Sequence, residues 1–561
     1  MKNSYIKSGL YLIFIVLFAY SSAKAQQFNW EWAKKADGTL NDRALSVTTD
    51  QGGNVYFAGW FESDSITFDT LTLYNNGMRN VYIAKYNSSG DPLWAKSASG
   101  TGYYVTNSIT TDNFGNIYIT GYFGFFGSST ITFGSTTLTR IGNDDIFIVK
   151  YDANGNVIWA KNEGGNGYDY GMDITTDADG DVYLTGYFRS GDIKLPTDTL
   201  YNSTAREDIL MIKYDSAGNV IWGRSVGSAN GYDFGYGLTV DTAKNIYITG
   251  FYYASDIVFA SDTLFNQGNY DMFVIKYDQS GNEVWGKNAG GIDYDYGYDI
   301  ASDTIGNIYI TGEFQSSSIS FDTITLSSKG AYVVKYNSAG NVLWAKETSG
   351  IDVGQSISNG LNNSVFVSGM FTSNSTSFGS ITLNNMNSNG SSDIFLVKYN
   401  SNGNVIWAKG DGGTSSDENY GVSIDPLENI YSIGYFWNTS IQFDTITLTN
   451  SGGSDVYLSK IGFRIENTEY SHVSCSGSND GTITIDAFGG SNPLQYSIDS
   501  GNTFYSNNAF SNLGAGYYPI IVSDSQDTLY GDTIEIFELN PTYSISDSAV
   551  TICSGDSALI Y

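Results

Sequence analysis

The chain has 561 residues, with 58 acidic and 27 basic side chains and a formal net charge of −31. An anionic surface repels phosphate backbones and anionic lipid, so nucleic acid is excluded as an expected partner. Aromatic residues make up 15% of the chain and long amphipathic helical patterns are absent, so the sequence predicts an all-β fold.

The first 25 residues have the order of features found in an export signal. Lys2 and Lys7 precede an apolar run over 10–20, and the small residues "AKA" at 23–25 offer a cleavage site before Gln26. The apolar run is short for a membrane span. We therefore predict a Sec-type signal peptide over 1–25 and a secreted or cell-surface protein with no membrane span. An N-terminal anchor is the alternative.

A repeat of about 60 residues follows the signal. Tryptophans of a "WAK"-like motif recur at Trp32, Trp94, Trp159, Trp222, Trp285, Trp344 and Trp407, with spacings of 62, 65, 63, 63, 59 and 63 residues. One unit contains four strand-like runs, which we name A to D: "YGMDITTD" (170–177), "DVYLTGYF" (181–188), "DILMIKYD" (208–215) and "NVIWGRS" (219–225). Such a fixed period predicts a repeat architecture.

The two ends of the array hold complementary halves of one unit. The final "DVYLSKIGF" at 455–463 has no D run after it, and the first D run, "NWEWAKK" at 29–35, has no C run before it. We therefore predict a seven-bladed β-propeller over 26–463, in which the N-terminal strand completes the last blade and removes two exposed edges. An open solenoid with capping repeats is the alternative.

The B and C runs are separated by inserts such as "SITFDTLTL" (65–73), "TITFGSTTL" (130–138) and "SISFDTITL" (318–326). Their alternating pattern about a small turn predicts an extra hairpin. The motifs "GNIYITG" (115–121), "DIFIVKYD" (145–152) and "GNVIWAK" (155–161) resemble the SBBP-type β-propeller repeats of secreted bacterial proteins. That resemblance implies the propeller fold and an extracellular setting, and it implies no particular ligand.

Residues 466–540 do not continue the repeat motifs of the preceding segment. They resemble the SprB repeat of large surface adhesins of gliding Bacteroidetes, which implies a small β-sandwich module. The matching positions are Cys475, Gly477, Asp480, Gly481, Gly489, Gly490, Pro493, Tyr496, Leu513, Gly516, Tyr518, Val522 and Asp524. Segment 541–561 looks like the start of a further, truncated module. The chain's two cysteines, Cys475 and Cys553, both follow the repeats, and no internal disulfide is assigned.

The predicted propeller has few groups for catalysis. The one histidine, His472, lies after it together with both cysteines, which excludes a serine triad, a thiol nucleophile and a usual zinc site within the repeats. A lysine recurs in every C run, which favours a structural role in pairing with a nearby aspartate or capping a blade edge. "DADGD" (177–181) resembles half a calcium loop, but the sequence favours a plain turn.

The best candidate site lies just before strand A. The equivalent positions are Asp42, Tyr104, Asp169, Asp233, Asp295, Asp352 and Asp417. Strand A is innermost in a propeller, and the D-to-A loops and B-to-C inserts share one face. We predict ligand-binding residues among the aromatic-flanked copies: Asp169, Asp233, Asp295, Tyr168, Tyr232 and Tyr294. The alternative is structural, with each aspartate capping a turn and each tyrosine packing within its blade.

These observations favour a non-catalytic binding or adhesion protein that presents one propeller face to an extracellular glycan or a surface protein. We expect a monomer without a cofactor, with calcium as an open possibility. Two alternatives remain: a carbohydrate-active enzyme of glycosidase type that uses channel carboxylates, and a purely structural stalk element.

Overall fold

The computed structural model describes residues 29–538 except 125–126, 128, 203–205, 229–230, 388–389, 438, 475–476, 491–492 and 525–527. The predicted signal peptide, both cysteines and segment 541–561 lie outside the described residues. The described part of the chain is all-β, and its one helical segment is the 3₁₀ turn Leu361–Asn363.

The repeat forms seven antiparallel groups of four strands, each paired in the order A–B–C–D. The A strands are Asp42–Thr49, Tyr103–Thr111, Asp169–Thr176, Asp233–Val240, Asp295–Ser302, Asp352–Asn359 and Asp417–Ile424. The B strands are Val55–Phe61, Ile117–Gly124, Val182–Phe188, Ile246–Tyr252, Ile308–Phe314, Val365–Phe371 and Ile430–Trp437. The C strands are Asn80–Tyr86, Asp144–Tyr151, Asp208–Tyr214, Asp271–Tyr277, Gly330–Tyr336, Asp393–Tyr399 and Ser454–Ile461. The D strands are Pro92–Ser97, Val157–Glu163, Val220–Val226, Glu283–Ala289, Val342–Glu347, Val405–Gly413 and, for the seventh unit, Trp32–Asp37.

Each B-to-C insert is a two-stranded hairpin, as its alternating pattern predicts. The hairpins pair Ser65–Phe68 with Leu71–Tyr74, Thr130–Phe133 with Thr136–Thr139, Asp192–Lys194 with Thr199–Tyr201, Asp256–Phe259 with Asp262–Phe265, Ile319–Phe321 with Ile324–Leu326, Ser375–Phe378 with Ile381–Asn384, and Ser440–Phe443 with Ile446–Thr449. Two of the hairpins, the first and the seventh, extend a neighbouring unit's sheet. For example, Gly412 and Gly413 of the sixth D strand pair with Gln442 and Ile441 of the seventh hairpin.

The seven units are arranged in a closed ring. Every A strand contacts the A strand of the next unit, and the first and seventh A strands also contact each other. Seven separate clusters of buried apolar side chains fill the spaces between consecutive sheets. Strands B and C read as nearly continuous apolar runs because both of their faces are buried between sheets.

The N-terminal strand supplies the fourth strand of the seventh sheet. Trp32–Asp37 pairs antiparallel with Ser454–Ile461, from Trp32 opposite Lys460 to Ala36 opposite Val456. Its last residues also pair with the first hairpin, at Ala36 opposite Phe68. One short strand therefore joins the two ends of the repeat array through main-chain hydrogen bonds, which is the pairing that the complementary half-repeats predict.

The recurring lysine of strand C is a buried clamp between neighbouring units. In the second unit, Lys150 Nζ donates to the Ser216 carbonyl in the C-to-D turn of the third unit at 2.9 Å, and Trp159 Nε1 donates to the same carbonyl at 3.3 Å. The Lys276–Ser338 and Lys335–Ser401 contacts repeat this pattern at 2.8 and 3.2 Å. These contacts bear out a structural role for the lysine. The predicted pairing with an aspartate also occurs in three units, for Lys85 with Asp50, Lys213 with Asp181 and Lys335 with Asp303.

Residues after the ring form two three-stranded antiparallel sheets. One contains Arg464–Ser471, Gly481–Phe488 and Ala509–Leu513, and the other contains Gln495–Ser497, Gly516–Ser523 and Thr528–Ile536. A single apolar cluster joins them, with Ile483 and Ile485 from the first sheet and Val522 and Ile534 from the second. The two sheets thus share one core.

A buried ionic network fixes the start of these sheets to the ring. Lys398 Nζ lies 2.7 Å from the Glu466 carboxylate and 3.3 Å from that of Glu428, and Arg464 lies 2.6 Å from Glu466. The seventh unit has no C-to-D turn, so Lys398 and Trp407 donate to Glu466 in place of a turn carbonyl. Glu428 occupies a left-handed turn position at φ 63° and is fully buried, and its carboxylate also lies 3.6 Å from Arg464.

Candidate binding site

The mouth face of the ring is the face that carries the D-to-A loops and the inserted hairpins. Asp169, Asp233 and Asp295 each begin an A strand there, and all three are fully buried. Their carboxylates accept hydrogen bonds inside the loop, from Ser190 Oγ to Asp169 at 2.6 Å and from Ser316 Oγ to Asp295 at 2.8 Å. This corrects the expectation that these carboxylates face a ligand, and it favours the structural alternative for the three aspartates.

The reason is that each aspartate accepts hydrogen bonds from the loop that precedes its strand. The main-chain N–H of Gly165 donates to Asp169 at 2.8 Å, and that of Gly291 donates to Asp295 at 2.7 Å. Burial raises the pKa of Asp169 and Asp295, and it raises that of Asp233 to about 6. A short polar side chain at this position satisfies loop donors that would otherwise be buried without partners.

The three predicted tyrosines lie nearer the surface. Tyr294 is 39% exposed and stacks on Tyr270 with ring centroids 5.8 Å apart. Tyr232 packs against Arg206, whose guanidinium lies 4.4 Å from the ring, and Tyr168 lies 5.8 Å from Arg189. The tyrosine part of the predicted site therefore lies on the mouth face, while the aspartate part lies beneath it.

Every A strand contains a β-bulge just below the mouth. The pairing with strand B skips one residue in each unit, for example Met172 between Gly171 and Asp173 and Tyr298 between Gly297 and Asp299. A bulge leaves one residue unpaired and redirects its side chain. The seven skipped residues are Leu45, Asn107, Met172, Tyr236, Tyr298, Gln355 and Tyr420.

The bulged residues line a central cavity of about 190 Å³. All seven units contribute their bulged side chain to it, and each of these side chains is half-buried. Around them the repeat is nearly uniform, yet these seven positions carry Leu, Asn, Met, Tyr and Gln. The sequence analysis missed them; the signal available was variation at one position inside an otherwise constant strand.

Two carboxyl groups, Asp173 and Asp299, also line this cavity. Asp173 accepts hydrogen bonds from Ser108 Oγ at 2.6 Å and from the main-chain N–H of Leu238 at 2.7 Å, which joins it to both neighbouring units. Burial raises the pKa of Asp173 to about 6. Burial, together with the charge of Asp173, raises the pKa of Asp299 to about 7.

Above the bulges, facing residues of strands A and B form the rim of the mouth. These cross-strand pairs are Arg43–Trp60, Val105–Tyr122, Tyr170–Tyr187, Phe234–Phe251, Tyr296–Glu313, Val353–Met370 and Glu418–Tyr435. Four units contribute a continuous aromatic arc, consisting of Tyr122, Tyr170, Tyr187, Phe234, Phe251 and Tyr296, in which successive ring centroids lie 4.5 to 5.0 Å apart. The rim thus differs from unit to unit, as the bulges do.

The "DADGD" segment is a turn. Asp177 Oδ1 accepts the main-chain N–H groups of Asp179 and Asp181 at 3.0 and 3.1 Å, and Lys244 Nζ lies 3.0 Å from the Asp177 carboxylate. Within the described ranges no group of three or more histidine, cysteine, aspartate or glutamate residues is placed to hold a metal ion. Among those same residues, no helix has the length and apolar character needed to cross a bilayer.

Comparisons with known proteins agree with this architecture. The "Beta-propeller repeat" family model matches residues 93–122. An uncharacterized WD repeat-containing protein, L264, of Acanthamoeba polyphaga mimivirus is 24% identical over 449 residues, covering 65% of this chain and 31% of that protein. The regulatory protein FlaEY of Caulobacter vibrioides is 26% identical over 149 residues, covering 25% of this chain and 15% of that protein.

The chain therefore spans less than a third of the length of these curated relatives. A solved structure of streptogramin B lyase has a TM-score of 0.37 at 10% identity, covering 76% of this chain and 97% of that one. The matched repeat and the relative with WD repeats identify a class: the chain is a β-propeller repeat protein.

Proposed function

We propose that this chain is an exported, non-catalytic binding protein of the cell surface or the extracellular space. In this proposal the ring is a seven-bladed propeller closed by the N-terminal strand, its mouth face binds an extracellular glycan, and the following β-sandwich module acts as a spacer. The observation that carries the proposal is the aromatic arc. Five of its six rings are partly exposed, and the sixth, Phe251, is buried between its neighbours. Aromatic rings in unbroken contact offer a broad apolar surface with polar edges.

The arc has the chemistry that a sugar chain needs. The apolar faces of sugar rings pack on aromatic rings, and polar groups beside those rings can bind hydroxyls. Glu313 lies on the same rim and accepts a hydrogen bond from Tyr298 at 3.0 Å. Tyr170 donates from its hydroxyl to Asp144 at 2.9 Å. Both carboxylates are thus held in place beside the aromatic rings, which favours a polyhydroxyl ligand.

The test is binding of the exported full chain to an array of glycans, followed by calorimetry with each ligand found. Replacing Tyr296 by alanine should weaken binding by about 10- to 100-fold, in line with the cost of removing a central aromatic anchor. Tyr201 is the matched control because it is 71% exposed on an inserted hairpin away from the arc. An array without binding, or equal losses for Tyr296→Ala and Tyr201→Ala, would contradict the proposal.

A glycosidase is the second candidate, because two cavity carboxyls have raised and unequal pKa values. We favour binding over catalysis for a geometric reason. Asp299 accepts hydrogen bonds from Ser356 Oγ at 2.9 Å and from the main-chain N–H groups of Ile357 and Ile300, both at 2.8 Å. Its lone pairs are therefore largely engaged in joining units.

The two candidates separate in a turnover assay. Each glycan that binds should remain intact after prolonged incubation with the full chain, as measured by release of reducing ends. Hydrolysis that is lost in both Asp173→Asn and Asp299→Asn, with binding retained, would establish the enzyme instead.

A further inference from the structure

A second feature of the rim lies opposite the aromatic arc, where the first and seventh units meet. Arg43 follows Asp42 at the start of the first A strand, and its guanidinium lies among three aromatic rings. The ring centroids are 4.2 Å away for Tyr435, 5.3 Å for Trp60 and 5.6 Å for Trp437. We call these four residues the arginine box.

Arg43 has no acidic partner among the described residues. No described carboxylate lies within ion-pair distance of it, its Nε is enclosed without a hydrogen-bond partner, and the residue as a whole is half-buried. A neighbouring cation differs: Arg79 lies 3.5 Å from the Trp60 ring and donates from Nε to Glu62 at 3.2 Å. In a chain with 58 acidic and 27 basic residues, an unpaired arginine is unexpected.

The acid on the rim of the adjacent seventh unit, Glu418, already accepts hydrogen bonds. Glu418 pairs across its sheet with Tyr435 and accepts hydrogen bonds from the hydroxyls of Tyr435 at 2.5 Å and Tyr420 at 3.1 Å. Three aromatic rings with centroids 4.2 to 5.6 Å from the guanidinium carbon surround this cation, and the N–H donors of a guanidinium point outward in its plane. This is the geometry that receives a planar carboxylate through two parallel hydrogen bonds.

We propose that the arginine box binds the single carboxylate of an acidic sugar at the end of the glycan that the mouth recognises. This inference rests on the proposed function and names the ligand class for the same face. One arginine matches one carboxylate. A polyanionic chain is disfavoured because the net charge of −31 repels it over long range.

The experiment compares matched ligands that differ by one carboxylate: 3′-sialyllactose against lactose, and a glucuronate-terminated disaccharide against its glucose-terminated counterpart. Calorimetry on the full chain should give at least a tenfold preference for the acidic member of one pair, and this preference should shrink at high salt. Arg43→Gln should abolish the preference and leave binding of the neutral member unchanged. Arg43→Lys should retain part of it, because a point charge lacks the planar fork.

Arg79→Gln is the matched control, because Arg79 packs on the same Trp60 but is neutralised by Glu62. It should leave the preference intact, and melting curves of all three variants check that the ring is folded. Equal affinity for acidic and neutral members, or a preference that survives Arg43→Gln, would overturn the inference while the proposed function stands. If no member of either pair binds and the glycan array is also empty, both fail.

Discussion

The two faces of the ring use the same backbone in different ways. On the turn face, five of the seven A-to-B turns repeat one arrangement: an aspartate such as Asp241 or Asp303 accepts main-chain N–H groups, an asparagine amide and a tyrosine hydroxyl. On the mouth face, each unit repeats the bulge but changes the side chain that it presents. Uniformity thus marks positions that hold the fold, and variation on a uniform backbone marks positions that are available for binding.

The comparison also explains what could be predicted from sequence. The period, the inserted hairpins and the end pairing depend on local patterns that recur, so repetition reveals them. The bulges could not be predicted from alternation, because one extra residue such as Met172 reverses the side-chain direction after it. The sequence places Asp169 at the mouth and so makes it a ligand-binding candidate, but it does not reveal that the carboxylate is buried.

The junction with the following sheets lay beyond prediction for another reason. Glu466 acts as a substitute for a missing turn, and it meets Lys398 across 68 residues of sequence. The sequence around either residue contains no pattern that predicts this contact. It arises because the ring closes through the N-terminal strand, which leaves one lysine clamp without its usual carbonyl.

The largest expected effect concerns the closure of the ring by the N-terminal strand. Deleting residues 26–36 removes most of the strand that covers the edge of Ser454–Ile461, including the buried Trp30 and Trp32. We expect the melting temperature to fall by more than about 10 °C, or the cooperative transition to be lost, because two sheet edges are exposed. A deletion that stops at residue 28 is the control. An unchanged midpoint for the longer deletion would show that the strand is not needed for closure.

The next effect concerns Glu466, which takes the place of a turn carbonyl as the acceptor for Lys398. Glu466→Gln should destabilise the protein by about 3–5 kcal/mol, because Lys398 and Arg464 lose the charge that compensates them in a buried site. Urea denaturation followed by tryptophan fluorescence measures this change. Glu469→Gln, on the exposed side of the same strand, should change stability by less than about 0.5 kcal/mol. Similar effects for the two variants would mean that Glu466 does not replace the turn.

A smaller effect should appear in the pH dependence. Asp173 and Asp299 have raised pKa values, about 6 and about 7, so between pH 4 and 7 the folded state binds more protons than the unfolded state. Stability contributed by these groups therefore falls as pH rises through that window. Asp299→Asn should reduce the change in unfolding free energy between pH 5 and 8 by on the order of 1 kcal/mol. Melting curves recorded across this pH range measure the difference as a flatter pH dependence of the melting temperature.

The control for this pH series is Asp532→Asn, an exposed aspartate outside the ring. It should leave the slope as it is in the parent chain. A slope of the opposite sign in the parent chain, with stability rising from pH 5 to 8, would show that the channel carboxyls are ionised at little cost.

The smallest expected effect tests the variable part directly. Gln355 is a bulged residue whose counterparts in three other units are tyrosines, Tyr236, Tyr298 and Tyr420. If the backbone alone holds the bulge, Gln355→Tyr should change the free energy of unfolding by less than about 0.5 kcal/mol.

Ile357, two residues further along the same strand, supplies the matched contrast. It is 5% exposed and packs between sheets, so Ile357→Ala should cost about 2–5 kcal/mol. Denaturation of both variants under one condition measures the difference. If Gln355→Tyr is as costly as Ile357→Ala, the side chains at the bulges are constrained by packing. The differences between units at these positions would then reflect packing within each unit. The bulged side chains would no longer support a ligand-binding mouth.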